Sequence, residues 1–228
     1  MRRSEINEYL RKAKEFFASM NFNLPPWGHW SPDEWKARKD ACGRILRQKL
    51  GWDVTDFGGG PFLERGLLLF ALRNGEPGDT IRPYAEKIMI VREGQETPFH
   101  FHWNKTEDII NRGGGRLVIE LYRSTGDEEF SSEPVTVSVD GIDRTVEAGG
   151  TLVLEPGESI TLVPYLYHRF FGEPGHGLVL TGEVSKVNDD DHDNRFATPL
   201  GRYPEIEEDE EPLHLLVSDY DRYLGAPA

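Results

Sequence analysis

His100 and His102 stand one residue apart in the stretch GQETPFHFHWNKTEDIINRG, from Gly94 to Gly113, and Glu107 follows after four more residues. In an extended strand, residues two apart project from the same face, so both imidazoles point together. A carboxylate a few residues on, past a bend or on a neighbouring strand, can close on the same point. Two neutral imidazoles and a carboxylate make a half-built divalent-metal site, and His168 is the candidate that completes it. Three histidines and one glutamate suit an octahedral first-row ion with two positions left for water or substrate. A nitrogen and oxygen set without sulfur accepts Mn, Fe, Co, Ni or Zn. Availability in a cell favours Mn or Fe, and manganese is the expected ion. His29, His176 and His214 have no partner pattern and read as surface or satisfied core histidines. His192, inside NDDDHDN, reads either as a solvated loop residue or as part of a pocket rim.

The elements that must position these residues are mostly strands. Short runs punctuated by glycine and proline begin near residue 52. They predict strands over Leu67–Arg73, Tyr84–Val91, Thr97–His102, Arg116–Tyr122, Val135–Val139, Thr151–Leu154, Ser159–Val163, His168–Phe171 and Leu178–Glu183. Many short strands at regular spacing indicate a sandwich or barrel. The first fifty residues read instead as helices. Ser4 is placed to cap a helix whose apolar face is Ile6, Leu10, Ala13 and Phe17. Ser31-Pro32-Asp33-Glu34 has the form of a capping box opening a second helix that runs to about Leu50. The aromatic stretch Phe22–Trp30 reads as a lid packed on the barrel. The charged run Glu205–Glu211 reads as a solvated face, and Leu213–Leu224 as a closing helix or edge strand. The expected organisation is one mainly β domain over residues 1–228, with a helical arm (1–51), a barrel (52–187) and a C-terminal extension (188–228).

Composition limits the partners. The 228 residues carry 26 Lys and Arg against 40 Asp and Glu, a net charge of −14. That balance argues against nucleic acid or an anionic membrane, which require a basic face. It is neutral toward a sugar. Cys42 is the only cysteine, so no intramolecular disulfide can form. The first residues have no uninterrupted apolar core of a signal peptide, and the most apolar run, Gly66 to Leu72, is far too short to cross a bilayer. A cytoplasmic protein is expected. Helical arms outside a barrel commonly cover edge strands, so a homodimer is expected too.

The spacing from Gly94 through His100, His102 and Glu107 to Gly114 resembles the first motif of the cupin superfamily without departure. The second motif is Gly, five residues, Pro, one residue, Gly, two residues, His. Gly157 to His168 (GESITLVPYLYH) resembles it at both ends, with Val163 and Tyr165 standing where the family has Pro and Gly. Four longer stretches extend the resemblance: KLGWDVTDFG (Lys49 to Gly58), YAEKIM (Tyr84 to Met89), FHWNKTEDIINRGGG (Phe101 to Gly115) and GEVSKVNDDDHDNRF (Gly182 to Phe196). With them the chain is similar to the cupin-type D-lyxose isomerases over nearly its whole length. That resemblance implies a single cupin jelly-roll barrel and a metal-dependent interconversion of D-lyxose with D-xylulose. Activity on D-mannose and D-fructose is expected as well.

Such an isomerisation moves hydrogen between C1 and C2 while the carbonyl migrates the other way, by proton transfer through an enediol or by a hydride shift. Acid and base groups must then lie on inward strand positions near the metal. Glu86 and Lys87 sit on an apolar strand where alternation sends one of them inward, and Lys87 is the candidate to face an oxyanion. Glu183 ends another apolar strand and is the candidate base. Trp103, beside His102, and Asp190, in the acidic loop, are candidate sugar contacts. Arg112 has no assigned role. Two other readings would use the same four ligands: a cupin oxidoreductase such as a dioxygenase, and a non-catalytic sugar-binding cupin.

Overall fold

The turn-punctuated stretch after residue 50 resolves into two antiparallel sheets in the computed structural model, which describes residues 1–225. Numbered in chain order, the strands of the larger sheet run β1 (Gly51–Thr55), β2 (Leu67–Arg73), β3 (Tyr84–Val91), β12 (Val179–Lys186), β5 (Glu107–Gly114), β10 (Ser159–Leu162), β7 (Val135–Val139) and β8 (Ile142–Val146). The smaller sheet runs β13 (Arg195–Phe196), β4 (Thr97–Phe101), β11 (Leu166–Gly172), β6 (Leu117–Arg123) and β9 (Gly150–Leu154). The two form a jelly roll whose sheets remain separate rather than closing into a continuous barrel.

Alternation along the strands explains the layers. Leu69, Met89, Ile109, Leu121 and Phe170 share one apolar cluster, the core of the jelly roll. Their neighbours Leu68, Phe70, Ile88 and Ile90 belong to a second cluster, which they form with Ile6, Leu10, Ala13 and Phe17 of α1 (Arg3–Ser19). Strand β2 therefore reads LLLFALR, almost continuously apolar, because a helix covers its outer face.

Several local readings shift for identifiable reasons. The first helix begins at Arg3, and Ser4 is not its cap. Its amide and hydroxyl bind the Asp209 carboxylate at 2.8 and 2.7 Å. The run Glu205–Glu211 is exposed but not merely solvated. It is a strap along α1, in which Glu208 pairs with Arg3 and Glu210 accepts from Asn7. Arg3 is fully buried and also holds Asp219 at 2.7 Å. Ser31 and Glu34 do make the capping box, opening α2 (Pro32–Arg38), but the helix does not continue to Leu50. A 3-10 turn and the short α3 (Gly43–Arg47) follow. Leu213–Leu224 ends in a 3-10 turn and α4 (Tyr220–Leu224).

His214 lies where the arm, the strap and β1 meet. Its Nδ1 donates to the Trp30 carbonyl at 2.9 Å, and Lys14 Nζ lies 3.0 Å from its Nε2. Its ring stacks on Trp52. Burial lowers its pKa from 6.5 to about 4, reinforced by Lys14 and His29 and opposed by the Trp30 carbonyl and Glu34. The unfolded chain therefore binds a proton that the folded chain refuses between those two values. Stability that is complete above pH 6.5 should be lost as the pH falls toward 4, by about 1 kcal/mol per pH unit from this group. Urea unfolding at pH 7 and pH 5 tests it. His214→Asn, which keeps a donor for Trp30, should flatten that dependence, and an unchanged slope would assign it to other groups.

Candidate active site

Both sheets contribute to one polar cluster inside the jelly roll. His100 on β4 and His168 on β11 are direct cross-strand partners. His102 follows at the end of β4, and Glu107 opens β5 in the opposite sheet, where it faces Ser185 of β12 and Leu162 of β10. One ligand atom from each of His100, His102, Glu107 and His168 lies within 4.8 Å of the others. Tyr165 explains how the degenerate second motif still delivers His168. It stands at the motif's glycine position with φ of 62°, the conformation glycine would adopt without strain. Its amide donates to the His102 carbonyl at 3.0 Å, and its ring packs on Phe101, contacts that hold the strained turn.

The proton inventory decides what the cluster can hold. All three imidazoles donate through Nδ1 to backbone carbonyls: His100 to Pro98 at 2.8 Å, His102 to Asp193 at 2.6 Å and His168 to Leu166 at 3.0 Å. A carbonyl only accepts, so Nδ1 carries the proton and a neutral ring presents a lone pair at Nε2. Burial, together with the neighbouring His168 and His102, pushes the His100 pKa well below its usual value, which keeps that ring neutral. Nε2 of His102 and of His168 have no hydrogen-bond partner, although Glu107 Oε1 lies 3.4 and 3.1 Å away. These are acceptor atoms turned on one another. Buried acceptors in that arrangement fit a cation between them.

A row of alternating charge leads away from the cluster. Lys105 Nζ bridges Glu107 at 2.7 Å and Glu183 at 3.1 Å, and Glu183 Oε1 also meets Lys87 at 3.2 Å. Lys87 and Glu183 are facing residues of β3 and β12. Alternation thus sends Lys87 inward, while Glu86 pairs outside with Arg73. Burial alone would raise the Glu183 pKa, but Lys105 and Lys87 outweigh it and hold the carboxylate ionised. Burial would likewise lower Lys105, and Glu107 and Glu183 reverse that. Sequence reading missed Lys105 because it lies in the turn after β4. Its only signal was its nearness to Glu107.

Asp190 joins the same row further out. Arg202 Nη2 reaches Asp190 at 2.7 Å and Asp53 at 3.1 Å, and Lys87 lies 4.0 Å from Asp190. These residues separate two adjoining spaces. The inner one, about 80 Å³, is bounded by His100, His102, Glu107, Lys105 and Glu183. The outer one, about 210 Å³, is bounded by Gln48, Lys49, Asn74, Asp191 and His192. Trp103 reaches neither. It lies in the bend after β4, where its indole packs on Phe101 and donates to Glu128 at 2.7 Å. Arg112 is exposed on β5 and borders neither space.

The acidic loop NDDDHDN supplies a clasp that the sequence did not reveal. The Asp193 carbonyl accepts from His102 Nδ1, while its carboxylate accepts the amides of Asn104 and Lys105, both at 2.9 Å. One residue thereby fixes the tautomer of His102 and the turn that presents Lys105.

The comparisons agree in kind. The family model for D-lyxose isomerase matches residues 1–220. A D-lyxose/D-mannose isomerase of Serratia proteamaculans is 50% identical over 228 residues, covering 99% of this chain and all of the relative. A protein of the same name from Escherichia coli O157:H7 is 48% identical, covering 98% of this chain and all of its own length. Among solved structures, the L-ribose isomerase of Cellulomonas parahominis superposes with a TM-score of 0.61 at 17% identity, over 91% of this chain and 98% of that one. The L-ribose isomerase of Acinetobacter sp. DL28 in complex with L-ribose gives 0.59 at 16% identity, over 90% and 98%. At these identities the structural likeness speaks for the fold, a cupin-type jelly roll.

Proposed function

Because the chain belongs to the D-lyxose isomerase family, we propose that it interconverts D-lyxose with D-xylulose and D-mannose with D-fructose. It is a sugar isomerase. The observation that carries the site assignment is the pair of partnerless Nε2 atoms turned toward Glu107. His100, His102, Glu107 and His168 would hold a divalent ion, which would supply Lewis acidity for the carbonyl migration. The donor set without sulfur accepts Mn, Fe, Co, Ni or Zn, and availability in a cell supports manganese as that ion.

The protein's own groups do the proton work. Glu183, ionised and buried between two ammonium groups, removes the C2 proton of the open-chain aldose and returns it to C1, while the hydroxyl proton of O2 passes to O1. Lys105 and Lys87, both buried, face negative charge developing on the sugar oxygens. Asp190 and Arg202 hold hydroxyls further along the chain. Residues 1–228 act as one unit in this scheme.

A homodimer is supported by the outer face of the smaller sheet, where Phe99, Tyr122, Phe130 and Tyr165 make an aromatic surface with Phe130 42% and Tyr165 50% exposed. A cytoplasmic setting is supported by the lone cysteine and by bacterial relatives of the same length. No described helix is long and apolar enough to cross a membrane.

The test is ketose formation from D-lyxose and D-mannose by metal-stripped protein with each divalent ion restored in turn. Turnover should return, and Mn should restore it best. Absence of ketose with every ion would overturn the assignment. Oxygen uptake in place of ketose would instead select the oxidoreductase alternative, which the full-length family match does not favour.

A further inference from the structure

Partnerless buried polar side-chain atoms are not scattered through this protein. Among the described residues they are Gln48 Nε2, Asp53 Oδ1, Thr97 Oγ1, His102 Nε2, His168 Nε2, Thr181 Oγ1 and Arg202 Nε. All but Thr181 belong either to the ligand cluster or to a residue bounding one of the two adjoining spaces. Leaving a buried donor or acceptor without a partner is costly, so such atoms concentrate where a ligand satisfies them.

The spaces themselves are too small to act separately. The inner one is about 80 Å³ and the outer about 210 Å³, whereas ordinary small-ligand pockets begin at roughly 300 Å³. Asp53, Leu69, Lys87, Asp190 and Arg202 border both, so they form a neck between two chambers of one cavity. An open-chain sugar with C1 and C2 at the ligand cluster must send its other end through that neck. Gln48, 5% exposed, borders only the outer chamber, and its Nε2 has no partner. Asp53 borders both chambers and keeps Oδ1 free while Oδ2 accepts from Arg202.

We propose that the outer chamber is the subsite for the distal end of the sugar, where Asp53 binds a hydroxyl in the neck and Gln48 reads the hydroxyl of a sixth carbon. The proposal rests on the isomerase reading and adds how chain length is recognised. A hydroxyl both donates and accepts, so one can give to the free Asp53 Oδ1 and another can accept from the free Gln48 Nε2.

The test measures kcat and KM of wild type and Gln48→Leu on D-lyxose and D-mannose, and of both proteins on 6-deoxy-D-mannose. Gln48→Leu removes no internal hydrogen bond of Nε2, so its thermal midpoint should stay close to wild type. Its KM for D-mannose should rise about tenfold with little change in kcat, as loss of one hydrogen bond from a buried amide predicts. The loss on D-lyxose, whose chain ends one carbon earlier, should be several-fold smaller. Wild type should lose a similar factor on 6-deoxy-D-mannose, and Gln48→Leu should lose nothing more on that sugar, since one contact cannot be removed twice. Equal losses on D-lyxose and D-mannose, or additive losses on the deoxy sugar, would overturn the proposal. If wild type turned over neither natural sugar, the isomerase reading would fall and this inference with it. If wild type turned over both and their ratio did not move in the variant, only the subsite would be wrong.

Discussion

His168→Ala should leave a folded protein that neither retains a divalent ion through dialysis nor forms ketose. His168 is 1% exposed, and its Nε2 lies 3.1 Å from Glu107 Oε1 with no hydrogen-bond partner. Removing it deletes one of four protein ligands and leaves a small cavity between β11 and β4. Losing an outer partner of a ligand typically costs about 10–100-fold in metal affinity or activity, so losing the ligand itself should exceed that. The proper comparison is metal-stripped wild type. Both should be inactive as prepared, but wild type should recover when the ion is restored and the variant should not. Metal content by elemental analysis and ketose formation read the two effects separately. A variant that kept its ion and its rate would remove His168 from the site.

Glu183→Gln should separate proton transfer from metal binding. The amide keeps the side-chain volume and still accepts from Lys105, so the ligand cluster should hold its ion. Turnover should fall by about 10²–10⁴-fold, the usual contribution of a positioned general base, with KM changed much less. Some stability should be lost too, because Lys87 then loses its nearest carboxylate and keeps the more distant Asp190 and the side-chain amide oxygen of Asn188. Denaturant unfolding measures that cost independently of rate. A variant with nearly full kcat would rule out Glu183 as the base and favour hydrogen moving directly between the two carbons.

The contrast between what was legible and what was not follows from the range over which each contact forms. His100 and His102 share a face because a strand repeats every two residues, and that rule needs only local sequence. Trp103 lies past the end of β4, in a bend, where that rule gives no direction, and its indole is held by Glu128 instead. Strand β5 escaped detection because EDIINRGG carries polar side chains on its buried face: Glu107 serves the ligand cluster, and Asn111 donates to the Gly115 and Leu154 carbonyls. A pattern reader treats such residues as solvent-facing. Tyr165 hid the second motif in a similar way, supplying by strain the turn that glycine makes freely. Gln48, Asp53 and Arg202 had no local signal, since residue 53 meets residue 202 only in the folded chain.

Arg3 has a consequence for how the chain is made. Its guanidinium is sealed from water, yet its carboxylate partner Asp219 lies 216 residues further along. At roughly 5–20 residues per second, a ribosome delivers that partner tens of seconds after the arginine emerges. The apolar side of α1 has its covering strands within the first ninety residues and can settle early. Its charged end cannot, because a buried arginine without its counter-ions is strongly disfavoured. Assembly of the arm should therefore proceed in two stages during synthesis, greasy contacts first and an ionic latch closed only when the last segments arrive.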